Sequence, residues 1–390
     1  MALVNLTGFE SGSSSELQGT GGTFSIVTSP VRTGTYALRI NPTTTATGQV
    51  NIGSIDSTGV LANNAQSTSV MGFAFRYATK PASNNEVIAG NYGSIADIKG
   101  ELRINSSGNL EHYRASGALV ATGATALVAD TWYYIEYKVV NSATGAYEVK
   151  INGVSEFSGT ADHGTGNTVF IQLGKNPNRN GNTVDFFYDD WYVDNANFVG
   201  SQYHIPEIRI LLPNGAGASA DWGNGTGTTF AEVDEVPPES DGADLTYIQA
   251  DPAVDDNTYH TLAVESTATK SVTGDVDALK GYVWGKTAST SGTSNVNIRL
   301  RNAGSNTDGA DMPEMTTSYR GYHILAVTDP ATSAAWTLSG VDTAEIGMNA
   351  GLIAQTQRFS AAYIFVLARP NTTPPATGVA YRRTLMGVGP

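Results

Sequence analysis

Apolar residues along this chain recur at every second position in short runs, and Gly, Ser, Thr, Asn and Pro separate the runs. In MGFAFRYA (71–78), Met71, Phe73, Phe75 and Tyr77 share one face of an extended strand. In WYYIEYKVV (132–140), Tyr133, Ile135, Tyr137 and Val139 face one way, while Trp132, Tyr134, Glu136 and Lys138 face the other. Further strands are predicted at 36–40, 50–55, 86–92, 101–114, 146–153, 168–175 and 184–194. ELRINSSGNLEHYR reads as a hairpin closed at Ser-Ser-Gly-Asn, and YEVKINGVSEF as a second hairpin turning at Asn152-Gly153. Strands at such regular spacing predict a β-sandwich over residues 1–198.

After a connector, NANFVGSQYHIP (195–206), strands return at 207–212, 246–250, 259–264, 280–287, 295–302, 318–327, 342–350 and 358–368. They predict a second sandwich over 199–369. Residues 213–245 read as a long Gly-, Asn-, Asp- and Pro-rich loop, of a length that is often functional or interfacial. Residues 370–390 lack apolar periodicity and read as an extended C-terminal arm. The expected class is therefore all-β, with two β-sandwich (jelly-roll) domains in tandem and an arm.

Composition agrees, because Gly (43) and a charged fraction of only 15 % suit turn-rich β structure better than helical bundles. The net charge of −14 would repel a phosphate backbone, so no nucleic-acid partner is expected. Between Arg209 and Lys270 there are eleven acids and no Lys or Arg, a solvated surface or else a cation or docking face. With no Cys, disulfides and Cys-ligated zinc are excluded, and the five His show no ligand spacing. The start MALVNLTGFESG lacks the basic and apolar regions of a signal peptide, and no run of ~18 apolar residues spans a membrane. A soluble protein made in a host cytoplasm is expected, with no membrane partner.

The stretch FFYDDWYVDN (186–195) sets Asp189 and Asp190 side by side in a strand that otherwise reads as buried. A retaining glycosidase needs two carboxyl groups ~5.5 Å apart on one face. Strict alternation sends Asp189 and Asp190 to opposite faces, and Asp185 is too remote along the strand. No G-x-S-x-G elbow or phosphate loop occurs, so no enzyme is expected. Two readings remain for the pair. One carboxylate faces a loop and the other water; or the pair serves a metal site, since GFESG (8–12) resembles the opening strand of carbohydrate-binding sandwiches, whose first and last strands run side by side, and that resemblance implies Glu10 and Asp190 as ligands of a structural Ca²⁺ completed by loop carbonyls. Sugar-binding platforms need exposed aromatic faces, for which Trp132, Tyr134 and Trp191 are candidates, although aromatics at alternate strand positions are more often core.

GFESG (8–12), TWYYIEYKV (131–139), the ING turn (151–153) and FFYDDWYVD resemble, in that order, the laminin-G/concanavalin-like jelly-roll family over the first half of the chain. IRILLPNGAGASADW, EVDEVPPESDGADLTYI and TDPATSAAWTLSGVDTAEIGM are similar to minor structural proteins of tailed bacteriophages. The resemblance implies a non-enzymatic, homo-oligomeric subunit on the virion surface, displayed by head, neck or tail. Other virion proteins and copies of itself would be its partners, and a lectin-like outward domain would contact host glycans. A carbohydrate-binding receptor-recognition protein and a polysaccharide depolymerase are the rival expectations.

Overall fold

The computed structural model describes residues 3–14, 17–41, 48–51, 66–94, 97–175, 182–201, 204–222, 230–238, 246–252, 254–289, 294–309, 312 and 315–370. The arm expected at 370–390 lies outside them but for Pro370, as does most of the strand expected at 50–55.

Among the described residues the strand pairs are antiparallel, as hairpin-rich patterning predicts. The first sheet runs β13 (Val154–Ala161), β12 (Gly145–Ile151), β11 (Tyr133–Val140), β6 (Thr68–Thr79), β15 (Asp185–Asp194), β4 (Ala37–Ile40) and β3 (Phe24–Val27), with β1 (Leu3–Thr7) also on β15. The second runs β10 (Leu119–Ala126), β9 (Asn109–Arg114), β8 (Asp97–Asn105), β7 (Asn85–Ser94), β14 (Phe170–Lys175), β5 (Gly48–Asn51) and β2 (Gln18–Gly22). The third holds β16 (Glu207–Leu211), β25 (Gln357–Arg369), β20 (Asp275–Thr287) and β23 (Arg320–Ala326), with β18 (Ile248–Ala250) on β25. The fourth holds β17 (Pro213–Ala220), β19 (Tyr259–Val264), β24 (Ala344–Ile353), β21 (Ser294–Asn302) and β22 (Ser305–Asp308). The chain is all-β, and its four sheets form two β-sandwiches.

Both expected hairpins are present. Asn152 (φ 50°) and Gly153 (φ 75°) take the left-handed pair of conformations that a two-residue turn requires, which is why Asn-Gly marks it. The supposed loop 213–245 is not structureless. PNGAGASA forms β17, where small residues let the strand lie against Thr261 of β19, and a 3₁₀ turn follows at Phe230–Glu232. Alternation of Gly, Ala and Ser carries no hydrophobic signal, so composition alone hides this strand.

Three apolar cores are stacked. One lies between the first and second sheets and contains Met71, Phe73, Phe75, Ile135, Tyr137 and Val139, the face that alternation selected. A second, between the third and fourth sheets, contains Leu279, Val283, Ile298, Leu300, Ile346 and Ile364. The third joins the sandwiches. Leu6, Val70, Ala74, Tyr134 and Tyr192 of the first sheet meet Ile208, Tyr282, Tyr363, Phe365 and Leu367 of the third. Along β25, Tyr363, Phe365 and Leu367 enter this middle core while Ile364 and Val366 enter the outer one. A strand buried on both faces has no polar face, which explains the unbroken apolar run AAYIFVLA. Tyr282 and Tyr363 stack in the middle core with centroids 5.8 Å apart and planes 6° from parallel. The molecule is thus a four-layered stack of sheets. Each large side chain buried between the sandwiches contributes about 1.5–3 kcal/mol to holding them together.

Candidate functional site

The Asp189–Asp190 pair lies at the junction of the sandwiches. In β15, Asp189 is opposite Ala74 of β6 and Tyr192 is opposite Gly72, so Asp190 and Trp191 together oppose Phe73. This is a β-bulge, and Asp190 takes φ 48° there. The bulge reverses the phase of the strand. Before it, Phe186 and Tyr188 point into the first sandwich; after it, Trp191 and Val193 do, and Tyr192 joins the middle core.

The expectation that the two carboxylates face opposite sides is therefore corrected, and neither faces water, since both are fully buried. Both reach the same two residues of the 32–36 loop. Asp189 Oδ2 accepts from Arg32 N (2.8 Å) and Thr33 N (3.1 Å), and its Oδ1 accepts from Asp190 N (2.8 Å). Asp190 Oδ1 accepts from Thr33 Oγ1 (2.7 Å) and from Ile208 N (2.7 Å), the latter on the first strand of the second sandwich. Asp190 Oδ2 pairs with the Arg32 guanidinium, which also donates to Pro206 O (2.8 Å) and lies 5.1 Å from the centre of the Tyr134 ring. Burial pushes the Asp189 carboxyl well above the usual carboxylate range, with the Asp190 charge adding to the rise. Burial raises Asp190 as well, and Arg32 opposes that rise.

Glu10 joins the same loop from the other side. Its Oε2 accepts from Thr35 N (2.8 Å) and its Oε1 from Tyr36 N (3.2 Å). Burial pushes its carboxyl up to about 8, against the pull of those two N–H groups. The turn after β1 and strand β15 thus converge on one loop, with a different outcome from a cation cage. Protein donors meet all six oxygens of Glu10, Asp189 and Asp190, and Arg32 supplies the positive charge beside Asp190. A hard cation such as Ca²⁺ wants six to eight free oxygens. The residues present do not fit the ion, and no cluster of three or more potential metal ligands occurs among the described residues.

The three aromatic candidates are not a sugar platform either. Trp191 is fully buried in the first sandwich core. Tyr134 lies in the middle core, where its hydroxyl donates to Asp190 O (3.0 Å). Trp132 is half-buried against the same core. The second sandwich covers the face that Tyr134 points to, and Trp191 points into the first core, so neither ring has a surface to offer a ligand.

A different face carries convergent polar chemistry. On β8 and β9, Leu102, Ile104 and Leu110 enter the core, which sends Glu101, Arg103, Glu111 and Tyr113 to the opposite face of the second sheet. Register sets Arg103 against Glu111 and Glu101 against Tyr113. The Arg103 guanidinium pairs with Glu101 (Nε to Oε2 2.9 Å) and lies 3.5 Å from the Tyr113 ring centre. Glu111 accepts from Asn85 Nδ2 (3.0 Å), Asn105 Nδ2 (2.8 Å) and Tyr113 Oη (2.9 Å). Tyr92 donates to Glu101 (2.9 Å) and stacks on Phe170, with centroids 5.1 Å apart. Burial and the Glu111 carboxylate raise the Tyr113 phenol, so it stays protonated as a donor. Tyr92, Glu101, Arg103, Glu111 and Tyr113 are all buried, and their polar atoms are bonded to one another, so the network is closed and offers a ligand as little surface as Tyr134 and Trp191 do. The ELRI…LEHYR hairpin held a signal for this face, since its turn fixes the Arg103–Glu111 pairing.

No family model matches the chain, and no curated protein matches it. Solved structures align with about half of it. The endo-β-1,4-glucuronan lyase of the fungus Trichoderma reesei is 16 % identical, with 45 % of this chain and 87 % of that chain covered and a TM-score of 0.36. The cellulose-induced protein Cip1 is 14 % identical, with coverages of 50 % and 98 % and a TM-score of 0.38. Domain 4 of AbnA, an extracellular arabinanase of Geobacillus stearothermophilus solved with arabinotriose, is 16 % identical, with coverages of 52 % and 96 % and a TM-score of 0.36.

Proposed function

We propose that this chain is a non-enzymatic structural subunit of a tailed-bacteriophage virion, working on the particle surface as a homo-oligomer beside other virion proteins. The four-layered stack carries this reading. Its middle apolar core, the Asp190 bond to Ile208 N and the Lys280 Nζ bond to Leu6 O (2.9 Å) tie the two sandwiches into one stiff body. The carboxylates at the junction are spent on that architecture, and a carboxyl with no access to solvent performs no hydrolysis. Cryo-electron microscopy of the intact particle tests the proposal: copies repeated in a head, neck or tail lattice are expected, and absence of the chain from purified particles refutes it.

A second reading, a carbohydrate-binding host-recognition protein, requires the buried Arg103–Tyr113–Glu111–Asn85 network of the second sheet to open to a ligand. The two are compatible if the first sandwich points outward. A glycan array separates them, because hits that disappear in Arg103→Lys support recognition and a blank array leaves the structural role alone. Release of reducing sugar from a host polysaccharide would instead make the chain a depolymerase.

A further inference from the structure

His112 of β9 and His163, just after β13, bring their Nε2 atoms within 3.0 Å of each other in the interior of the first sandwich. His163 Nδ1 lies 3.0 Å from Val140 O at the end of β11, and His112 Nδ1 lies 2.8 Å from Tyr137 Oη on the same strand. A carbonyl only accepts, so His163 Nδ1 carries a proton and its neutral ring accepts at Nε2. His112 then donates from Nε2 and accepts the Tyr137 hydroxyl at Nδ1. The chain of bonds is complete with both rings neutral, and it links the second sheet to the first. The Tyr147 ring of β12 stacks on His112 with centroids 4.2 Å apart. His163 N also donates to Ser142 O (3.0 Å), and Ala115 N to Asp162 O (3.3 Å), so the segment bearing His163 is fastened to both sheets.

We propose that His112 and His163 form an acid-sensitive clasp that locks the two sheets of the first sandwich together at neutral pH and releases them when both rings protonate. One proton, taken by His112 Nδ1, still leaves bonds to Tyr137 and His163 but puts a charge in the interior. A second, on His163 Nε2, sets two N–H groups head to head and breaks the contact. Among the described residues, Asp162, beside His163, is the one carboxylate that favours a charge there, and burial outweighs it. On β8, Glu101 is paired with Arg103 and Lys99 with Asp97. Tyr137 of β11 and Tyr147 of β12 face the cluster as phenols. Asp162, beside His163, is exposed and accepts from Gly164 N (2.9 Å). Burial and the neighbouring ring hold His112 down at about 3, and burial lowers His163.

The sign follows. An opened segment binds protons below a histidine pKa of ~6.5 and the closed one does not, so the clasp's contribution is full above that pH and fades as pH falls toward 3. Between pH 7.5 and 5.0 the opening constant should rise roughly 30-fold for one histidine and roughly a thousandfold for two. Hydrogen exchange of the full chain at residues 109–114 and 161–168, corrected for the intrinsic pH dependence, reads this constant. The wild type is expected to rise more steeply than His163→Gln, up to the two-proton limit, and His163→Gln to follow the one-proton figure, since Gln offers a donor and an acceptor without titrating. Equal pH dependence in both proteins, or a change below ~3-fold in the wild type, overturns the clasp. Should H163Q not fold, side-chain NMR of the wild type decides. Ring resonances of His112 and His163 that titrate in the folded chain between pH 5 and 7 overturn it, and static ones with the Nδ1–H tautomer at His163 support it.

Discussion

Asp190→Asn is the substitution that most directly tests the account of the junction. It is isosteric, so the bulge and the packing are kept. The amide oxygen can still accept from Thr33 Oγ1 and Ile208 N, but the amide nitrogen now faces the Arg32 guanidinium, donor against donor. Asp190 is fully buried, while the Arg32 side chain is 17 % exposed and retains Pro206 O and the Tyr134 ring. Breaking a buried pair from one side costs about 3–5 kcal/mol, and the partial exposure of Arg32 puts this case at about 3 kcal/mol. For a unit of this size each kcal/mol lowers the melting temperature by about 2–4 °C, so a loss of roughly 6–12 °C is expected in the transition of the first sandwich. Scanning calorimetry of the full chain resolves it. The double variant Arg32→Met with Asp190→Asn should recover part of the loss, because it removes the stranded cation. A shift below ~2 °C in the single variant would mean that the pair holds nothing together and that the bulge has another cause.

Glu10 makes stability depend on pH with the opposite sign to an ordinary paired carboxylate. Its folded pKa, about 8, lies above its unfolded value, so its contribution is full below pH ~4.5 and is lost as pH rises to about 8. Urea midpoints of the wild type should fall over that window more steeply than those of Glu10→Gln, and equal slopes would refute the assignment. Gly72→Ala should destabilise by ~1–3 kcal/mol or more, since its new carbon would lie 2.1 Å from Cε1 of Tyr192; an unchanged thermal midpoint would show that the ring moves aside freely. Adding EDTA or Ca²⁺ should leave the melting temperature within ~1 °C, and a larger shift would show a cation competing with Arg32 for Asp190. Arg103→Ala should cost ~3–5 kcal/mol by leaving Glu101 buried without its partner, measured by denaturant unfolding; a loss below ~1 kcal/mol would count against the pairing on that face.

By itself the sequence determined the class, most strands, both hairpins and the inward faces of β6 and β11. These depend on period-two patterning and on turn residues, which act over a few neighbours. The phase reversal in β15 was not legible, because a bulge is a choice made against the partner strand and leaves no trace in composition. Strand β17 was hidden for a related reason, its small residues having no hydrophobic period to read. Arg32, separated from Asp190 by 158 positions, carried no local mark of its role. Tyr134 shows the division most clearly. Alternation correctly sent it away from the first core, and from there an open, ligand-ready face looked like its destination. Only the docking of the third sheet onto the first turned that face into an interior, because whether a strand's second face meets water or another sheet is decided by packing between layers and not by the pattern along one strand.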